Sequence, residues 1–99
     1  MSRPEAQIEA HLRDGVRRRG GYALKLAPLG FRGWPDRIVL MPHARVYFVE
    51  LKAPGKTADT HQERRHAWLH KAGFHIAVLD SREAVNEWVK RVLDGANNA

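Results

Sequence analysis

The sequence contains no cysteine, which excludes a disulfide framework, a thiolate zinc site and a cysteine nucleophile. It also lacks any apolar run approaching the roughly 20 residues needed to cross a bilayer. The polar opening Met1-Ser2-Arg3-Pro4-Glu5 has no apolar secretion core. A cytoplasmic protein with no membrane partner is therefore expected. Acids are scarce: 11 Asp and Glu stand against 17 Lys and Arg, giving a net charge of +6 and a pI near 10.3. That balance favours a polyanionic partner, nucleic acid being the commonest, although charge alone fits a merely basic protein equally well. No internal repeat, low-complexity tract or linker interrupts the chain, so its 99 residues read as one domain spanning 1–99. A hydrophobic content of 43% suffices to fold, but so small a domain leaves apolar surface to cover, which makes a dimer plausible.

What is present is an alternation of helical and strand periodicities. Ser2 to Arg19 reads as a helix: Pro4 suits its first turn, Ile8, Leu12 and Val16 form one stripe, and Gly20-Gly21 stops it. Tyr22–Leu26, Arg37–Met41 and Arg45–Leu51 read as strands, the last two joined through Pro42-His43-Ala44. Ala53-Pro54-Gly55-Lys56 breaks the sheet. A second helix, capped by Thr57 or Asp59, runs to about Ala72, and Phe74–Leu79 is a fourth strand. Asp80 or Ser81 caps a last helix through Leu93, with Ser81-Arg82-Glu83-Ala84 resembling a weak capping box. Ala84, Val85, Trp88, Val89 and Val92 supply its buried face, and Trp68 and Trp88 are both expected in the core. The order αβββαβα predicts an α/β fold: an antiparallel meander, one parallel crossover and helices on both faces of a mixed four-stranded sheet.

Two acids and a lysine carry the chemistry. Glu50 and Lys52 are two apart on a strand and emerge on the same face. Asp36 opens the preceding strand, and the hairpin can bring it beside Glu50. Two carboxylates and a lysine at a sheet edge can hold a divalent metal against a phosphate, which suggests a nuclease. The bland alternatives are a turn acid after Pro35 and an exposed ion pair. An exposed pair contributes only about 0–1 kcal/mol, so stability gives little reason to place it in the most apolar strand.

These elements and motifs resemble the VRR-NUC (virus-type replication-repair nuclease) family of the PD-(D/E)xK nuclease superfamily, in its minimal stand-alone form. The resemblance covers nearly the whole chain and rests on Glu9, Gly33-Trp34-Pro35-Asp36, Glu50-Leu51-Lys52, Pro54-Gly55 and Gln62, in that order. It implies a restriction-endonuclease-like core. It also implies that Asp36, Glu50 and the Leu51 carbonyl bind Mg²⁺ or Mn²⁺, that Lys52 is the catalytic lysine, and that Glu9 lies near the metal. Gln62 would support the site from the second helix. Relatives often carry serine where this chain has Asp59; aspartate caps a helix equally well, but its charge could weaken substrate binding. Glu9 could equally be a solvated helical acid, and Gln62 an ordinary first-turn residue.

Lys25, Arg32, Arg37, Lys56, Arg64 and Arg65 are candidates to track a phosphate backbone. Phe31 or Trp34 could stack on an exposed base, though loop aromatics more often pack on their own protein. His66 and His70, four apart, lack a third zinc ligand and an H-E-x-x-H pattern. No element resembles a recognition helix, so structure-selective binding is expected. The leading expectation, on the family resemblance, is a homodimeric endonuclease that cuts four-way (Holliday) junctions in DNA. A flap-directed or general nuclease, and a non-catalytic DNA-binding module, are the competing readings.

Overall fold

A computed structural model describes residues 4–26 and 33–95. Helix α1 (Pro4–Arg18) is followed by β1 (Tyr22–Lys25), β2 (Arg37–Met41), β3 (Arg45–Leu51), α2 (Thr60–Lys71), β4 (His75–Leu79) and α3 (Arg82–Trp88). The chain then widens into a π-helical turn, Val89–Asp94. The strands lie in the order β1-β2-β3-β4, antiparallel at the first two pairings and parallel at β3–β4. This is the expected mixed α/β sheet.

The pleat sorts the side chains. Val39, Met41, Tyr47, Val49, Leu51 and Leu79 point to one face and are buried there. Ile8, Leu12 and Val16 of α1, with Val85, Trp88, Val89 and Leu93 beyond β4, close over them. Tyr47 meets Trp88 edge-on, with ring centroids 5.8 Å apart. Helix α1 ends where Gly20 takes φ 84° and the Gly21 amide donates to the Val16 carbonyl, satisfying the last turn. An Arg19–Asp94 ion pair at 2.6 Å joins that end to the π-helical turn.

The last helix departs from its sequence reading. Its α-helical portion stops at Trp88, and the following wide turn brings Leu93 fully into the core while Val92 is only half-buried. An i→i+5 turn rotates the chain less per residue than 3.6 periodicity assumes. Ser81 does cap α3, its Oγ accepting from the Ala84 amide at 3.0 Å. Alanine offers no side chain to return the bond, so the box is one-sided. No helix of the described residues is long and apolar enough to cross a membrane.

Candidate active site

The β2–β3 register fixes the position of the acids. Arg37 pairs with Val49 at the end of the ladder, so Asp36, one residue earlier, stands opposite Glu50. The Asp36 carboxylate accepts from the Leu51 amide at 2.9 Å, and its carbonyl accepts from the Leu26 amide at 2.8 Å. Both bonds orient an exposed acid at the sheet end. Glu50, by contrast, is 1% exposed. Burial, and then the charge of Asp36, push its carboxyl up to about 7, against the opposing pull of Lys52. The Lys52 ammonium lies 3.4 Å from Glu50 Oε2.

Gln62 explains how Glu50 is held. Asp59 caps α2 by accepting from the Gln62 amide at 2.9 Å, and the Gln62 side-chain oxygen accepts from the Asp59 amide at 3.0 Å. The other end of the same side chain, Nε2, donates to Glu50 Oε2 at 2.8 Å. Glutamate, the other usual residue at this capping position, could accept but not donate. Glutamine performs both tasks, tying the helix start to the buried acid. The capping bonds also hold the Asp59 carboxyl below its ordinary range.

The loop before Asp36 is pinned against the same helix start. Gly33 has φ 85°, and a Cβ there would lie 2.4 Å from the His61 carbonyl oxygen. Only glycine tolerates both the conformation and the approach. Trp34 then meets Trp68 of α2, with centroids 6.2 Å apart, and Arg65 lies over the Trp34 ring.

A cleft of about 170 Å³ opens at this sheet end, lined by Glu5, Glu9, Lys25, Leu26, Asp36, Arg37 and Leu51. Glu50 Oε1 is buried and without a hydrogen-bond partner, and Asp36 is near enough for its charge to raise the Glu50 carboxyl. A buried, unsatisfied carboxylate oxygen beside a second acid fits a hard divalent cation, whose charge would offset the repulsion that raises Glu50. Among the described residues no group of three or more His, Cys, Asp or Glu could hold a metal. The protein donors in reach are thus Asp36 and Glu50, with the Leu51 carbonyl of the family pattern.

A protein named "Putative nuclease p44", from Acyrthosiphon pisum secondary endosymbiont phage 1, is 46% identical over 79 residues, covering 80% of this chain and 85% of that protein. A solved structure described as a VRR_NUC domain superposes with a TM-score of 0.88 at 27% identity, covering 92% of this chain and 99% of the other. The chain belongs to the VRR-NUC family. No protein-family model matches it.

Within this VRR-NUC chain the predicted residues separate into two groups. Asp36, Glu50, Lys52 and Gln62 are brought together. Glu9 lines the same cleft as Asp36 and forms an ion pair there with the Arg37 guanidinium. Arg37 itself is 6% exposed, so it faces α1 rather than the solvent-side path expected of a phosphate contact. Its parity with Val39 and Met41 on β2 was the available signal. Lys25 lines the cleft, Lys56 and Arg64 are exposed, Arg65 lies on Trp34, and Arg32 falls outside the described residues, as does Phe31. Trp68 is 57% exposed, contrary to expectation. The inward stripe of α2 passes through Gln62, His66 and Leu69, leaving Trp68 beside it, against Trp34 and Phe74.

Proposed function

We propose that this chain is a Mg²⁺- or Mn²⁺-dependent DNA endonuclease that hydrolyses phosphodiester bonds in branched DNA as a homodimer, cutting four-way junctions. The observation that carries the nuclease reading is the convergence of Asp36, a buried Glu50 with one unsatisfied oxygen, and Lys52. The described relatives, one named a nuclease and one a VRR_NUC domain, support it.

Asp36 and Glu50 would hold the cation, joined by the Leu51 carbonyl. When bound, such a cation supplies Lewis-acid stabilisation of the phosphate and a lowered pKa for water. The Leu51 amide and Gln62 keep the two carboxylates from swinging away. Lys52 presents its ammonium to the charge that builds on the phosphoryl oxygens, or orients the attacking water. Cleavage leaves 5′-phosphate and 3′-hydroxyl ends. Lys25 in the cleft, with exposed Lys56 and Arg64, would contact the phosphate backbone and make binding fall with salt.

The dimer is supported by the sheet face away from α1, where Tyr22, Leu24, Leu40 and Val78 are exposed. A two-fold pair of sites suits a symmetric junction. The deciding experiment incubates the protein, across a concentration series, with Mg²⁺ or Mn²⁺ and matched linear, flap and four-way DNA. Preferential four-way cutting that steepens with concentration is expected. Equal cutting of all three substrates rejects structure selectivity. Retention without cleavage under either metal would leave a DNA-binding module.

A further inference from the structure

Among the described residues two buried side-chain atoms have no hydrogen-bond partner: Glu50 Oε1 and His66 Nε2. The first belongs to the proposed metal site. The second has no part in it so far. His66 lies one turn after Gln62 on α2, whose inward stripe runs from Gln62 past His66 to fully buried Leu69. Its ring is therefore directed beneath the amide that holds Glu50. A buried nitrogen without a partner is unfavourable, because it has given up its water and gained nothing in return.

The surroundings of the ring identify its counterpart. Burial holds the His66 imidazole below its ordinary pKa; Lys52 adds to this, while Asp36, Asp59 and Glu63 oppose it. Burial therefore favours the neutral ring, which has one nitrogen free to accept a hydrogen bond. Lys52 has the complementary deficit. Its ammonium carries three donors, is largely buried, and has Glu50 at 3.4 Å as its ion-pair partner. The Gln62 amide and the Lys52 ammonium meet on the same Glu50 oxygen, at 2.8 and 3.4 Å, and the free acceptor of His66 lies one helical turn from that amide.

We propose that His66 is a positioning residue for Lys52: its Nε2 accepts from the lysine ammonium through one bridging water, and aims it at the scissile phosphate. The inference rests on the nuclease reading for its consequence, but not for its test. In the family pattern quoted above Glu9, Asp36, Glu50, Leu51, Lys52 and Gln62 make up the site; His66 adds a second support from the helix of Gln62, acting on the lysine rather than the acid.

Three variants and two kinds of readout test this. His66→Leu removes the acceptor, His66→Gln keeps a polar atom near the Nε2 position, and Lys52→Arg identifies the Lys52 resonance in ¹³C-lysine-labelled protein. The chain has only five lysines, so that resonance can be resolved. Without metal or DNA, the Lys52 side-chain resonance should move in His66→Leu and return toward its original position in His66→Gln. Thermal unfolding of His66→Leu should change little, because one water-mediated contact is exchanged for apolar packing beside Leu69. On four-way DNA with Mn²⁺, His66→Leu should lower kcat roughly 10- to 100-fold with little change in KM, as expected of a misplaced group, and His66→Gln should recover most of it. A Lys52 resonance indifferent to His66→Leu overturns the proposal, as does a loss confined to KM. If the wild-type protein cuts no DNA, the nuclease reading falls and the resonance alone decides the His66–Lys52 contact.

Discussion

The two faces of the sheet come from the same four strands and behave in opposite ways. On the α1 face Val39, Val49 and Leu51 are sealed beneath two helices, and the charged residue that enters, Arg37, brings its own partner in Glu9. On the α2 face Leu24, Leu40 and Val78 remain exposed, while the buried acid Glu50 is left with an unsatisfied oxygen. One face is closed and electrostatically balanced; the other is incomplete in both apolar cover and polar pairing. Incomplete pairing is what a ligand site looks like before its ligand is considered, because buried polar atoms otherwise find partners.

The largest effects should come from breaking the incomplete face at its charges. Asp36→Asn, Glu50→Gln and Lys52→Ala should each reduce metal-dependent cleavage by at least about 10³-fold, with Lys52→Ala still folding and binding DNA; gel assays and anisotropy check both halves. A near-normal rate in any variant removes that residue from the mechanism. The closed face should respond in stability instead. Leu12→Ala, at a fully buried position, should lower unfolding free energy by about 2–5 kcal/mol in urea titrations, with the activity of the folded fraction retained.

Acidity distinguishes the faces more finely. Below pH 4.5 Glu50 is protonated in both folded and unfolded chains and imposes no penalty. Between 4.5 and about 7 the folded protein holds a proton that the unfolded chain has released, so stability falls as pH rises. Above 7 the full penalty, a few kcal/mol, is present. Metal-free wild type should therefore lose stability from pH 5 to 8, and Glu50→Gln should flatten that slope. An unchanged slope in the variant would show that Glu50 is not raised. Mn²⁺ should restore stability at pH 8 in the wild type and not in Glu50→Gln. The smallest folding effect belongs to the bare surface: Leu24→Ser should shift monomer stability by less than about 0.5 kcal/mol. If that face joins two copies, the same change should shift sedimentation toward monomer.

Local periodicity was enough to place α1, the β2–β3 hairpin and the facing of Glu50 and Lys52, because a strand alternates sides whatever it packs against. The glutamine in the capping position was legible as a helix start. Its bond to Glu50 was not, since the two lie twelve positions apart, on either side of the loop between β3 and α2. The π-helical turn escaped because its hydrophobic pattern reads almost like an α-helix, and the added residue per turn is settled by packing of Leu93.

The sequence by itself determined the order of elements, the two faces of each strand and the three charged groups that meet at the hairpin's end, all of which follow from backbone geometry over a few residues. Tertiary structure alone decided that Arg37 is committed to Glu9, that Trp68 stays at the surface, that His66 looks inward, and that half of one sheet face lies bare. Those outcomes depend on how distant segments are seated against each other, and no short-range rule carries that information.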